Sequence, residues 1–145
     1  MNPQDFLDRK GQEMIVSAIK EAETDTSGEI RVHIDDVCDD AYGKAVEVFH
    51  ALGMDRTAAR NGVLIYVACT SKVFAIVGDK EINDAVPENF WNDVSAHIHD
   101  CFAKGKFAEG LADAVRMAGQ KLKAYFPYRS DDINEQPDEI SFKEQ

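Results

Sequence analysis

Two groups of side chains in this 145-residue sequence carry the residue types that bind ions or anions. The first is Asp35, Asp36, Asp39 and Asp40. Carboxylates at such spacing supply the hard oxygen donors that Ca²⁺ and Mg²⁺ take, and an Asp just before a helix also caps its first turn. Both readings stand. The second group is Arg60, Asn61, Asp79 and Lys80, separated in sequence but brought together if the intervening residues fold as a hairpin. There, Arg60 and Asp79 form either an ion pair that ties a loop to a sheet or a rim for a small anion or a metal, with Asp79 as the metal ligand and Ca²⁺ or Mg²⁺ as the ion.

The remaining reactive side chains are dispersed. His97 and His99 stand two apart on a helical pattern, which points them in different directions, and His33 and His50 have no evident partner. Cys38, Cys69 and Cys101 are odd in number and form no CxxC pair, so they read as reduced thiols and not as metal ligands. The sequence holds no GxxxxGK loop, GxSxG elbow, HExxH helix or GxGxxG turn. Catalytic residues are therefore not assigned.

The elements that must position these groups follow from hydrophobic period. Leu7, Met14, Ile15, Ala18, Ile19 and Ala22 recur on one face and predict an amphipathic helix over residues 3–24. From Glu29 to Asp35 the pattern alternates, with Ile30, Val32 and Ile34 on one side and Glu29, Arg31 and His33 on the other, as in a strand with one wet face. Ala41 to Leu52 returns to helical spacing. Two apolar, β-branched runs, Gly62 to Cys69 and Val73 to Val77, predict a hairpin covered on both faces. Stripes from Phe90 to Phe102 and from Phe107 to Phe126 predict two further helices, with Phe90, Trp91, Phe102, Leu111 and Leu122 buried. This order implies an α/β protein, a three-layer α/β/α sandwich around a small mixed sheet. If the first two strands are parallel, the Asp35 group and Asp79 lie at opposite rims of that sheet.

Length and composition place one such domain at residues 1–127. A formal net charge of −11 and the lack of any dense basic run exclude a general nucleic-acid binder. The first residues lack the apolar run of a secretory signal, and no stretch approaches the ~20 apolar residues of a membrane-spanning helix, so a cytoplasmic location without direct membrane insertion is expected. Residues 128–145 read as an acidic, flexible tail. Within it, Ile140, Ser141 and Phe142 alternate as a triplet that could add to a strand edge or enter a partner's groove. On that reading Ile140 and Phe142 bind a partner, and removing the tail leaves the melting temperature nearly unchanged.

Three stretches in order, Ser27 to Ile34, Thr57 to Ala68 and Phe74 to Asp79, resemble the TPM domain family. Phe90-Trp91, Phe107 to Leu111 and Phe126-Pro127 follow in the family's order, so the resemblance covers most of the chain. It implies an α/β/α sandwich. Its relatives include thylakoid-lumen proteins linked to photosystem II repair and acid phosphatase activity, a worm membrane protein that modulates acetylcholine receptors, and bacterial proteins encoded beside LemA-type membrane proteins. The chain looks like a short cytoplasmic bacterial subgroup. The glycine-rich segment that many exported relatives carry after the hairpin is replaced here by Gly78-Asp79-Lys80-Glu81. Two functional expectations result: a binding or regulatory module that acts with a membrane-associated partner protein, or a metal-dependent or acid phosphatase working at the Asp79 rim.

Overall fold

The computed structural model describes residues 2–129 and 136–143. After a 3₁₀ turn at Pro3–Asp5, the described elements are α1 (Arg9–Ala22), β1 (Glu29–Asp35), α2 (Ala41–Ala51), β2 (Gly62–Ala68), β3 (Val73–Gly78), α3 (Lys80–Ala85), α4 (Asn92–Ala103), α5 (Phe107–Leu122) and β4 (Ser141–Phe142). The first helix is shorter than its apolar stripe. Asp8 accepts a bond from the Gly11 amide at 2.7 Å and so starts the α-helix at Arg9, leaving Leu7 buried ahead of it.

The sheet order is β3-β2-β1-β4. β1 runs parallel to β2 from Glu29↔Gly62 to Asp35↔Ala68, β2 and β3 form the antiparallel hairpin, and β4 lies parallel to β1. The four strands and five helices make the expected α/β sandwich. On one face Ile30, Val32, Ile34, Val63, Ile65 and Val67 meet the apolar faces of α1, α4 and α5 in the larger core. On the other face Leu64, Tyr66, Ala68 and Val77 pack against Ala45, Val48 and Phe49 of α2. Because β2 lies inside the sheet and under helices on both faces, all seven of its residues are buried. β3 is an edge strand and only Val77 is buried, so the hairpin is not fully covered as expected. Phe90, Leu111 and Leu122 are buried, whereas Trp91 and Phe102 pack against the core while partly exposed.

The polar side of β1 is the main departure from the sequence pattern. Glu29, Arg31, His33 and Asp35 are all buried, so the strand has no wet face. The residues that cover Arg31 and His33 come from the C-terminal segment. Gln136 Oε1 accepts from Arg31 Nη1 at 3.0 Å, Glu139 lies 3.9 Å from Arg31 Nη2, and Ser141 Oγ is 2.9 Å from His33 Nδ1. The Lys143 amide donates to the Ile34 carbonyl at 2.9 Å, which continues the β1–β4 ladder.

These contacts correct the reading of Ile140 and Phe142 as free anchors. Ile140 is 8% exposed within the larger core, and Phe142 packs against that core. The alternation of apolar and polar residues did mark a strand-edge peptide, but the edge that it pairs with belongs to its own chain. The expected flexibility of the tail concerns in part residues 130–135 and 144–145, which lie outside the described residues.

The same docking creates a pH response. Burial first, then a hydrogen bond with Asp138 and the charges of Asp138 and Glu29, push the Glu23 carboxyl up to about 8, against a small opposing effect of Lys20. Burial pushes His33 down to about 4, partly opposed by Asp35 and reinforced by Arg31 and Lys44. Glu23 binds its proton more tightly in the native state, so its contribution is complete below about 4.5 and is lost as pH rises to about 8. His33 binds its proton less tightly, so its contribution is present above about 6.5 and is lost as pH falls to about 4. The two slopes oppose each other between about 4.5 and 6.5 and leave Glu23 acting alone from about 6.5 to 8. Thermal melts across that upper window are expected to show falling stability, and Glu23→Gln to flatten the slope. An unchanged slope in the variant would remove Glu23 as its cause.

Candidate functional site

Parallel β1 and β2 put the two sequence-predicted groups at opposite rims, since Asp35 pairs with Ala68 while Gly78 pairs with Val63 at the other end. At the lower rim Arg60 and Asp79 meet in a bidentate pair, Nε–Oδ2 at 2.7 Å and Nη2–Oδ1 at 2.8 Å. Asp79 is also the N-cap of α3, and Oδ1 accepts from the Lys80 amide at 2.8 Å. Lys80 turns its ammonium to Asp84 at 3.1 Å and Glu81 at 3.6 Å, and Asn61 donates to the Ser27 carbonyl at 3.3 Å. The bond to Asp79, followed by its charge, holds the Arg60 guanidinium even more firmly protonated than usual. Arg60 adopts φ of 50°, a left-handed conformation that costs a non-glycine residue free energy, and the Glu81 amide donates to its carbonyl at 3.1 Å. Arg60 and Asp79 are thus brought together, with both Asp79 oxygens engaged in tying the hairpin to α3, while the Lys80 ammonium and the Asn61 amide, next to them in the chain, turn to other partners.

The upper rim is built differently. It lies at the carboxyl ends of β1, β2 and β4, where open α/β sheets bind ligands. Asp35 is committed to the structure. Its Oδ2 accepts from the buried Tyr66 hydroxyl at 2.6 Å and its Oδ1 from the Asp36 amide at 2.8 Å, with Lys143 Nζ 4.0 Å away. Burial, then the bonds to Asp35 and Cys38, push the Tyr66 phenol far up, so it remains a donor. Asp36 accepts from the Thr70 hydroxyl, and the Cys38 amide donates to Ser71 Oγ at 3.0 Å. The loop after β1 is thereby fixed to the hairpin turn.

Beyond that loop, Val37, Cys38, Asp39, Asp40, Gly43, Lys44 and Glu47 line an open pocket of about 480 Å³. Asp40 occupies the N-cap position of α2 but makes no side-chain capping bond. Its carboxylate lies over Gly43, where a Cβ would come within 2.5 Å of Oδ2, so the helix backbone can approach that oxygen only because residue 43 is glycine. Lys44 is 3.8 Å from Glu47 across the same turn. The capping alternative is therefore met in position and not in bonding.

A third cluster escaped sequence reasoning. His97 and Cys101 of α4 and Asp113 of α5 place one donor atom each within 4.8 Å of one another. The i, i+4 spacing of His97 and Cys101 on α4 is visible in the sequence, whereas Asp113 reaches them only through the packing of α5 on α4. None of the three cysteines is in a disulfide. His50, expected to lack a partner, lies 3.0 Å from Asp55.

The family model for the TPM domain matches residues 1–121. The chain belongs to the TPM domain family. A solved structure of similar architecture is that of the BA42 protein of the psychrophilic bacterium Bizionia argentinensis, 46% identical over 97% of each chain with a TM-score of 0.90. The N-terminal domain of a protein from P. gingivalis, 17% identical over 88% of this chain and 83% of that one with a TM-score of 0.67, shares the fold. No curated protein matches this TPM-family chain. Among the described residues no helix is long and apolar enough to cross a membrane.

Proposed function

We propose that this TPM-family protein is a cytoplasmic binding module that engages a partner through its upper acidic rim, where Asp39 and Asp40 hold a hard divalent cation such as Ca²⁺ or Mg²⁺. The observation that carries this reading is the Asp40 carboxylate, which stands at the N-cap of α2 without a capping bond, in an open pocket that Asp39 and Glu47 also line. Flexible carboxylate sites of this kind keep several waters on the ion, which leaves positions for an acidic or carbonyl group of the partner. A membrane-associated partner of the LemA type accords with the family resemblance, and the overall charge of −11 gives the cation a role in offsetting repulsion from an acidic surface.

The lower rim supports the phosphatase alternative less well. Asp79 has both oxygens occupied by Arg60 and the Lys80 amide, so it offers neither a nucleophile nor a metal ligand without breaking that pair. A phosphatase also needs convergent cations or a metal around the phosphate and an activated nucleophile or water. Arg60 and Lys80 are each already paired with carboxylates.

Titration with Ca²⁺ or Mg²⁺ is expected to shift amide signals of residues 37–47 and to raise the melting temperature, because an ion that binds only the native state stabilises it. Asp39→Asn with Asp40→Asn should abolish both effects, while Asp79→Asn should retain them. Shifts centred on residues 60–61 and 78–80 instead, or turnover of a chromogenic phosphomonoester that Asp79→Asn removes, would replace this reading by the phosphatase one.

A further inference from the structure

We propose that His97, Cys101 and Asp113 form a transition-metal site of the Zn²⁺ class on the outer helical layer, separate from the hard-cation rim. His97 Nε2 lies 3.5 Å from Cys101 Sγ and 2.8 Å from Asp113 Oδ2. A tetrahedral Zn²⁺ with bonds of about 2.3 Å to sulfur and about 2.0–2.1 Å to nitrogen or oxygen sets its sulfur and nitrogen donors about 3.5 Å apart and its nitrogen and oxygen donors about 3.3 Å apart. The sulfur–nitrogen separation therefore already suits the ion. The nitrogen–oxygen pair must open by roughly half an ångström, and the full spread of 4.8 Å must contract, both within reach of side-chain rotation.

The helices explain why the donors converge. Residues i and i+4 share one face, which brings His97 and Cys101 together on α4. At Gly110 of α5 a Cβ would lie 2.8 Å from Cys101 Cβ, so glycine permits the close approach that carries Asp113, three residues further on, to the same face. Arg116 Nη1 stands 3.7 Å from Asp113 Oδ1, and Arg116 Nε donates to Glu21 at 2.7 Å, which orients the carboxylate from behind, as outer contacts do for metal ligands.

The donor chemistry selects the metal. Thiolate and imidazole favour Zn²⁺, Co²⁺ and related ions over Ca²⁺ and Mg²⁺. Cys101 is buried while His97 and Asp113 are partly exposed, so the cluster combines a shielded sulfur with a route for the ion. On binding, the Cys101 S–H bond breaks and its proton passes to the buffer, and His97 Nε2, which donates to Asp113 in the metal-free protein, gives up its hydrogen so that the neutral ring carries its proton on Nδ1; the freed sulfur and nitrogen lone pairs form the two metal bonds. Three protein donors leave the fourth tetrahedral position for water or for a partner's side chain.

The test is addition of Co²⁺ and, separately, Zn²⁺ to the reduced full-length protein. Co²⁺ is expected to give a thiolate charge-transfer band and tetrahedral visible bands at one ion per chain, and Zn²⁺ to bleach them and raise the melting temperature. Cys101→Ala should abolish the charge-transfer band, and His97→Gln and Asp113→Asn should each weaken Zn²⁺ at least tenfold in competition with a chromophoric chelator. Circular dichroism establishes that each variant is folded, and Cys69→Ser should keep the charge-transfer band. Absence of the charge-transfer band in the reduced protein, its persistence in Cys101→Ala, or Zn²⁺ affinity unchanged in both His97→Gln and Asp113→Asn would overturn the proposal. Because Asp39 and Asp40 are distant in sequence and fold, their double Asn variant should retain Co²⁺ binding, which separates failure here from failure of the rim.

Discussion

A chain ending at residue 129 is expected to lose roughly 3–5 kcal/mol of folding free energy and to melt on the order of 10 °C below the full-length protein. Burying an aliphatic side chain such as Ile140 is worth about 1.5–3 kcal/mol, and it sits in the core at 8% exposure. Truncation also removes Gln136 from the Arg31 guanidinium and Ser141 from His33, both buried on β1. Burial pulls Arg31 down, against the pull of Glu139, and Arg31 Nε already lacks a partner among the described residues, so the group has little to spare. Loss of a partner from a buried polar group costs about 1–3 kcal/mol, reduced here to the extent that water enters the opened edge. Comparison of thermal and denaturant melts of the two chains measures the sum. Ile140→Ser alone should account for about half, since it deletes the apolar contact and leaves β4 able to pair. Coincident melts would return residues 136–143 to the status of a solvated tail.

That reversal of expectation shows which information the local sequence contains. The order of helices and strands, the hairpin from Gly62 to Gly78 and the separation of Asp35 from Asp79 depend on period and on turn positions, and each could be read within a window of some 10–20 residues. The burial of Arg31 and His33 could not, because their partners lie 105 and 108 residues away. Alternation on β1 gave the same signal that solvent would have given, since Gln136 and Ser141 satisfy polar groups much as water does.

The candidate sites divide along the same line. Arg60 and Asp79 meet because antiparallel pairing returns β3 to the start of β2, a consequence of topology alone. His97 and Cys101 share a helix face, which spacing reveals, but the arrival of Asp113 depends on the contact between Gly110 and Cys101 across two helices. For Asp40 the sequence identified the helix start and could not tell whether the carboxylate would cap it.

Val67→Asp is expected to have the largest effect of any single change discussed here, at least about 4 kcal/mol, and to leave the protein largely unfolded at ordinary temperature if its stability is typical. Val67 is 1% exposed, between Ile34 on β1 and Phe74 on β3 in register, and its side belongs to the larger core. Asp35, on the neighbouring strand and 2% exposed, shows what a carboxylate in this sheet requires. It has the Tyr66 hydroxyl and the Asp36 amide as donors and Lys143 at 4.0 Å, all on the opposite face. Val67 is packed in the larger core, whose buried members other than Cys69 are all aliphatic or aromatic hydrocarbon side chains. The introduced carboxyl would fold only by keeping its proton, so its native pKa would rise above the unfolded value of about 3.9. Such a group stabilises relative to its ionised form below the unfolded pKa, and that advantage is lost as pH rises. The variant should therefore fall further behind the wild type at pH 7 than at pH 5. Val67→Ala, which removes volume without adding charge, should cost roughly 1–3 kcal/mol and show no such pH difference. Chemical denaturation of the three proteins at both pH values measures each expectation, and a Val67→Asp chain that melts within about 1 kcal/mol of Val67→Ala would show that β2 is not the buried centre of the sheet.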